Sequence, residues 1–287
     1  MSENVNFIEE YREVSKGRDL RGIIRHGALN ALSAFNPIIS TKTNRIQFLY
    51  FHHVFLDEIE NLEKLLKRLS IHHQFIPYSE AIHRIQTNQI DGNYITWSSD
   101  DGFKNNLAAA QVFRHFDISA CFFVNPSSIG INNPADSKQF CRVRLNLPPV
   151  EFLNWEDVNE LQNEGHEIGS HTINHLRLTE LNDFQLHEEV VTSKSLIEKH
   201  CGEIQHFAYP YGRWSDFNQR GMSLVREAGY KSCATAERGC HTAGTRDMTA
   251  IPIIQRDLVI AGWPQRHIEF FMHTNMIYKK NIASPWK

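Results

Sequence analysis

The feature that most constrains this chain is a regular switch of hydrophobic period. From Arg45 onward, short continuous apolar runs alternate with segments whose apolar residues recur at helical spacing. "IQFLYFHHV" has the length and continuity of a buried strand. "LDEIENLEKLLKRLS" follows it, with Ile59, Leu62, Leu65, Leu66 and Leu69 on one helical face. The pattern repeats in "YITWSS" and "NNLAAAQVFRHF", then in "ISACFFV" and, after a longer polar connection from Asn125 to Pro149, in "WEDVNELQNEG". "HEIGSH" reads as a short strand and "TELNDFQLHEEVVTSKSLIEKHCG" as a long helix, with Thr179 or Asn182 as its cap. "HFAYPYG", "SLVREAGY", "KSCATA" and "AIPIIQRDLVI" continue the alternation, and "PQRHIEFFMH" reads as a terminal helix. Six or seven β/α units predict an α/β fold with a parallel sheet, open or closed into a barrel.

At 287 residues the chain is long for one ordinary core but suits a single-domain barrel. The expected organisation is an N-terminal helical extension over residues 1–40 and one domain over 41–287. In the extension, Lys16, Arg18, Arg21 and Arg25 alternate with Leu20, Ile23, Ile24, Leu29, Leu32 and Phe35. That spacing predicts a basic amphipathic helix docked on the main domain. Residues 16–35 also permit peripheral contact with an anionic membrane surface. A formal charge of -3 gives no global field to recruit nucleic acid, and no nucleic-acid partner is expected. The five cysteines form no C-x-x-C pair, which suits reduced thiols. The start, "MSENVNFIEEYREVSKG", lacks the basic n-region and apolar h-region of a signal peptide. The expected location is cytoplasmic, with the inner membrane face as a peripheral variant.

Four features carry chemistry. In "WSSDDG", Asp100 and Asp101 end a strand, and Gly102 permits an abrupt turn. An exposed turn is the ordinary reading of Asp-Asp-Gly. A bent strand end can instead bring both carboxylates to one cleft, one to bind metal and one to stay free as a base. In "SHTINH", His171 and His175 are four apart. With 16 histidines, roughly one such spacing arises by chance, but this one follows a strand end, where β/α domains build active sites. His166 would be carried to the far end of that strand. Two histidines and one carboxylate leave open positions, as a catalytic zinc site requires. "HFAYPYGRW" places Tyr209, Pro210, Tyr211 and Gly212 in a rigid bend. Its aromatic rings could stack on a sugar, and a backbone N–H near Tyr211 could face a developing oxyanion; a structural Tyr-Pro turn is the alternative. Arg256, in "IIQRDLV", is either a structural ion-pair partner or the orienter of a catalytic carboxylate.

Taken together, these motifs resemble the polysaccharide deacetylases, the NodB-homology group of metal-dependent carbohydrate esterases. Ser98-Ser99-Asp100-Asp101-Gly102 resembles the family's Thr-Phe-Asp-Asp-Gly strand end, and His171-Thr172-Ile173-Asn174-His175 its histidine pair. Ala208-Tyr209-Pro210-Tyr211-Gly212 resembles its Pro-Tyr-Gly turn, and "FHHV" its N-terminal Tyr-His-x-Val strand end. The resemblance covers about residues 45–260. It implies a deformed (β/α) barrel of about seven strands that hydrolyses an N-acetyl group from an amino sugar. Asp101, His171 and His175 would hold a divalent metal, with Zn2+ the first expectation. Asp100 would be the general base, oriented by Arg256, and the Tyr211 amide would stabilise the oxyanion. Tyr209, Pro210, Tyr211, Gly212 and His52 would meet the substrate. Two departures stand out. Ser98-Ser99 replaces Thr-Phe, and the late Leu-x-His motif that supplies the general acid has no clear match. His273, in "FFMHTN", fills that place by order in the chain, with His52 or His53 as alternatives. The expected substrate is a nucleotide-linked, lipid-linked or polysaccharide amino sugar, such as an intermediate of O-antigen or capsule synthesis. The alternatives are hydrolysis of another amide, such as a formyl group, and a non-catalytic glycan-binding relative.

Overall fold

The computed structural model describes residues 4–8, 10–11, 43–244 and 250–278. The basic helix expected over residues 16–35 lies outside them. β1, β3 and β4 carry apolar stretches on successive residues because a parallel strand is buried on both faces. In β1 (Arg45–Phe51) all seven residues are buried. β2 (Gln74–Phe75) pairs with the first half of β3 (Asn93–Ser99), off the main ring. From β3 the ring runs through β4 (Ala120–Val124), β5 (Glu167–Ser170), β6 (His206–Ala208), β7 (Ser232–Ala234) and β8 (Ile253–Ile254). β9 (Arg256–Leu258) lies against β1 on the other side. Every one of these pairings is parallel. β8 and β9 are one strand interrupted at Gln255; the first part pairs with β7 and the second with β1, which closes a seven-position barrel. The expected single strand "AIPIIQRDLVI" is therefore split, and the split is what lets one segment serve both neighbours.

The helices are α1 (Ile59–Leu69), α2 (Tyr78–Gln86), α3 (Asn106–Arg114), α4 (Pro134–Phe140), α5 (Trp155–Asn163), α6 (Asp183–His187), α7 (Ser193–Cys201), α8 (Gln219–Glu227) and α9 (Gln265–Tyr278). Their apolar stripes pack on the outside of the strands, joining Leu62, Leu66, Phe113, Leu161 and Ile197 to Trp97 and Phe122 in one core. A second core fills the barrel interior, with Phe48, Tyr78, Phe123 and Ile254 at its centre. Tyr78, from the first turn of α2, stands edge-on to Phe48 at 5.1 Å and to Phe123 at 5.6 Å. It plugs the end at which the strands begin. Glu167 of β5 fixes that plug by accepting the Ser79 N–H at 2.9 Å, at the start of α2. The interior is thus closed at the strand N-termini and open at their C-termini.

Several elements differ from the expected pattern. β2 and α2 occupy a stretch the periodicity left unassigned. The connection 125–149 contains α4 and a π turn over Cys141–Leu145. The long helix is α6 and α7 joined through a second π turn, Glu188–Thr192. Asn182, rather than Thr179, caps it, its side chain accepting the Gln185 N–H. The described start of the chain packs on the barrel: Val5 N–H donates to the Pro149 carbonyl at 2.9 Å, and Ile8 N–H to Asp57 Oδ1 at 3.0 Å.

Candidate active site

Three strand ends deliver the site, and each uses a backbone conformation that side chains disfavour. Asp101 (φ 75°) and Gly102 (φ 69°) follow β3, Thr172 (φ 66°) and His175 (φ 53°) follow β5, and Tyr211 (φ 63°) and Gly212 (φ 70°) follow β6. A left-handed non-glycine residue costs on the order of 1–3 kcal/mol and persists where its surroundings over-determine it. Here the strain has a purpose. The left-handed turn at Asp101 brings both aspartates into one cavity, where an extended strand would send them to opposite sides. That cavity, about 680 Å³, lies at the open mouth, and Asp100, Asp101, His171, His175, Tyr211 and Arg256 all line it.

Asp101 Oδ1 lies 3.5 Å from His171 Nε2 and 3.4 Å from His175 Nε2. His171 Nδ1 sits 2.8 Å from the Ala208 carbonyl, which can only accept, so Nδ1 carries the proton and Nε2 keeps a lone pair facing Asp101. Asp101 Oδ1 is buried and has no hydrogen-bond partner. Such an orphaned acceptor among lone pairs asks for a cation. Among the described residues this is the only group of three metal-capable side chains whose ligand atoms lie within 4.8 Å of one another. The donor set, two imidazoles and one carboxylate, fits a divalent ion such as zinc and leaves positions open. The electrostatics agree. Burial, with the Asp100 charge added, pushes the Asp101 carboxyl well above the usual carboxylate range. Burial also holds His171 and His175 below the ordinary histidine value, in the neutral form that binds metal.

Asp100 is held differently. Arg256 grips it with Nη1–Oδ1 and Nη2–Oδ2 both at 2.8 Å, a bidentate pair on two buried side chains. Arg256 Nε donates to the Thr235 carbonyl at 2.8 Å, and its guanidinium lies 4.3 Å above the Tyr50 ring. Burial alone would raise the Asp100 carboxyl, but the Arg256 charge and hydrogen bonds, with smaller help from His171 and His52, together outweigh it and bring the group down to about 2. One aspartate is thus kept ionised by an arginine and the other is left short of a positive partner. Arg256 also fixes the position of the Asp100 carboxylate.

The histidine loop is held by a residue that the sequence reading missed. Glu189, buried on the π turn between α6 and α7, accepts the Ile173 N–H at 3.0 Å, the Asn174 N–H at 2.9 Å and the Asn174 side-chain amide at 2.7 Å. The π turn gives a buried acid no sequence signature, so only the position seven residues past the Asn182 cap could have hinted at it. Removing this brace loosens the loop without touching a ligand. Glu189→Ala is therefore expected to weaken zinc binding by about 10–100-fold, read as the zinc Kd in a competition titration. An unchanged Kd would show that the loop holds itself.

The other expected site residues divide. Tyr211 is exposed at the rim, edge-on to His175 at 5.1 Å, and one face of its ring is covered by the Arg177 guanidinium at 4.3 Å. Its backbone N–H meets no acceptor among the described residues, as an oxyanion donor requires. The ring of Tyr209 points inward. Tyr209 lines the cavity but is 1% exposed: it stacks on Phe217 at 4.6 Å and its hydroxyl donates to the Gly212 carbonyl at 3.2 Å, which leaves almost none of its ring open to a sugar. Pro210 is buried and does not line the cavity. Gly212 lines it, but its need for glycine is local: a Cβ would fall 2.4 Å from the Ala236 nitrogen. His52 lines the cavity within reach of the Asp100 charge; burial lowers it to about 4. His53 also lines it, held between the rings of Tyr11 at 5.0 Å and Phe55 at 4.5 Å. His273 is not there. It lies on α9 close enough to Arg45, the first residue of β1, to feel that charge, and so belongs to the closed end of the barrel. His166, set aside on the sequence, is also away from the cavity, accepting the Ala120 N–H at 3.1 Å.

Comparison with known proteins agrees with this geometry. Residues 87–233, just over half of the chain, match the polysaccharide deacetylase family. The chain is 28% identical over 150 residues to the Bacillus subtilis protein YxkH, named for polysaccharide deacetylation, covering 52% of this chain and 45% of that protein. It is 33% identical over 136 residues to a chitooligosaccharide deacetylase of Azorhizobium caulinodans, covering 46% of this chain and 53% of that one. The aligned region thus spans about half the length of either relative. In fold, it is similar to the Streptococcus pyogenes deacetylase PplD, solved in complex with acetate, with a TM-score of 0.64 at 16% identity over 80% of this chain and 99% of that one. The motifs at the three strand ends, the barrel that gathers them and these similarities lead to one conclusion: the chain belongs to the polysaccharide deacetylase family.

Proposed function

We propose that this protein hydrolyses the N-acetyl group of an amino sugar within a glycan or glycan precursor, using a divalent ion, zinc first, held by Asp101, His171 and His175. The observation that carries the reading is the convergence of those three side chains on one cavity beside the arginine-clamped Asp100. An ion held there would polarise the acyl carbonyl and acidify water next to it. Asp100, ionised and unable to rotate in its bidentate clamp, takes the proton of the attacking water. The Tyr211 N–H donates to the oxygen that becomes negative as the amide carbon turns tetrahedral. The departing amine needs a proton, and His52 is the histidine of the cavity that is neither an ion ligand nor held between aromatic rings. Burial keeps it neutral at rest, so it donates after taking up the proton that Asp100 removes from the water. A polysaccharide precursor such as an O-antigen or capsule intermediate, handled inside the cell, suits the five free cysteines.

The test is acetate release from N-acetylated oligosaccharides and sugar nucleotides by the zinc-loaded full chain, with formylated sugars beside them. Acetate release that disappears with a chelator and returns with zinc supports the reading. Formate release alone, or binding without turnover across the series, overturns it. The proton-donor assignment has its own check. His52→Asn is expected to lower kcat by about 100-fold with zinc content unchanged, whereas His273→Asn leaves kcat within about twofold. The reverse pattern would return the acid to α9.

A further inference from the structure

The Tyr211 amide can face an oxyanion only while its left-handed backbone is held, and the ring of the same residue is what its surroundings grip. The Arg177 guanidinium covers one face of that ring at 4.3 Å. His175 meets it at 5.1 Å with the ring planes 63° apart, and the Tyr211 hydroxyl donates to the Arg144 carbonyl at 3.5 Å.

Arg177 is itself held. Its Nη1 pairs with Asp216 Oδ1, on a side chain only 2% exposed. Its Nε lies 3.4 Å from Glu180 Oε1. A carboxylate as buried as Asp216 needs its counter-charge, so the guanidinium has little freedom to leave the ring. The second oxygen, Asp216 Oδ2, accepts the Arg213 N–H at 3.0 Å. Asp216 therefore joins two loops from different strands. Arg177 stands two residues after His175 on the loop that follows β5, and Arg213 two residues after Tyr211 on the turn that follows β6. The far side of that turn is braced towards the Asp100 clamp. The Trp214 N–H donates to Glu237 Oε1 at 3.2 Å, the Ala236 N–H to the Gly212 carbonyl at 2.8 Å, and the Arg256 N–H to the Glu237 carbonyl at 2.9 Å. The turn is fixed between the ion-binding loop and the arginine strand.

Building on the deacetylase reading, we propose that Arg177 and Asp216 are positioning residues: they lock the ring of Tyr211 and so align the oxyanion-donating amide of the β6 turn with the ion-binding loop after β5. The ring then serves the backbone beneath it rather than the substrate. An amide that acts on the developing charge contributes to the transition state, so its misalignment is felt in kcat and not in KM.

The experiment measures kcat, KM and zinc content in the wild type, Arg177→Met, Arg177→Lys, Tyr211→Ala and the double variant Arg177→Met/Tyr211→Ala, on the N-acetylated sugar that the wild type turns over fastest. Arg177→Met is expected to lower kcat by about 10–100-fold, the cost of a misplaced rather than a missing donor, with KM within about threefold and zinc content unchanged. Arg177→Lys keeps the pair with Asp216 but not the flat contact, and recovers part of the loss. Tyr211→Ala falls at least as far as Arg177→Met, and the double variant falls no further than Tyr211→Ala, because the arginine acts through the ring. A Tyr211→Ala that raises KM and keeps kcat would make the ring a sugar platform and overturn the proposal. Losses that multiply in the double variant, or zinc lost from Arg177→Met, would overturn it as well. Hydrogen exchange without substrate separates the lock from the deacetylase reading. In zinc-loaded Arg177→Met the Arg213 and Asp216 amides are expected to exchange about tenfold or more faster than in the wild type, with those of β1 and β3 unchanged. That result in a protein that deacetylates no substrate would leave the lock standing and sink the deacetylase reading. Unchanged exchange at the turn would sink the lock, whatever the protein hydrolyses.

Discussion

Asp101→Asn is expected to abolish zinc binding and lower activity by at least about a thousandfold, while the metal-free protein becomes no less stable. The first half follows from the donor set. Asp101 Oδ1 is the atom that both imidazole Nε2 atoms face, at 3.5 and 3.4 Å. An amide in its place is a far weaker ligand, and the loss of several kcal/mol of charge stabilisation corresponds to about three orders of magnitude in rate. The second half follows from the same burial. Asp101 is 3% exposed, lies beside a second carboxylate and leaves Oδ1 without a hydrogen bond. A group so placed costs the empty fold stability, and asparagine removes the titratable proton and the like-charge conflict. Metal reverses the order. At about a thousandfold excess over its Kd, zinc would add about 4 kcal/mol to the wild type and nothing to the variant. Thermal melts with chelator and with zinc check both halves. A zinc-dependent rise in Tm that survives in Asp101→Asn would place the ion elsewhere, and a metal-free variant that melts well below the wild type would mean Asp101 supports the fold rather than the ion.

That opposition between stability and function also explains what could be read from the sequence. The strands are legible because burial on both faces favours successive apolar residues, as in the five buried residues of β4, ACFFV. The site was legible because its residues sit directly after those runs. The misplaced residues share another cause. His273 was assigned by order along the chain, but α9 begins beside the mouth, where Trp263 lines the cavity, and runs back along the barrel. Eight residues from Gln265 to His273 carry it about 12 Å towards the closed end. Tyr209 was read as a stacking ring because it is aromatic and next to Tyr211. The left-handed turn at Tyr211 and Gly212 breaks the strand's alternation, so Tyr209 packs against Phe217 at 1% exposure and Tyr211 reaches the rim. β2 is too short to show a period, and the π turn that presents Glu189 has no pattern in "EEVVT". What the sequence hides is direction at turns; what it displays is burial along strands.

Arg256→Met should cost about 3–5 kcal/mol of stability, the largest loss expected from any single substitution in the site. Arg256 is 1% exposed and Asp100 3% exposed, so removing the guanidinium leaves a buried carboxylate without its counter-charge. The Thr235 carbonyl and the Ser98 hydroxyl, which accept from Arg256 at 2.8 and 3.2 Å, lose their donor as well. Yet the pair is weak evidence of a stabilising device, because bringing two charges out of water costs nearly as much as their attraction returns. The double variant Asp100→Asn/Arg256→Met therefore is expected to recover most of the loss, to within about 1–2 kcal/mol of the wild type. Urea unfolding at constant m-value measures all three proteins. Activity will not follow the stability back, since the double variant has no base at Asp100. Zinc binding will persist in it, because Asp101, His171 and His175 are intact. If the losses of the two single variants simply add in the double, Asp100 and Arg256 are not coupled and the clamp is incidental. If they cancel while activity stays absent, the pair is kept for the proton it moves rather than for the fold it crosses.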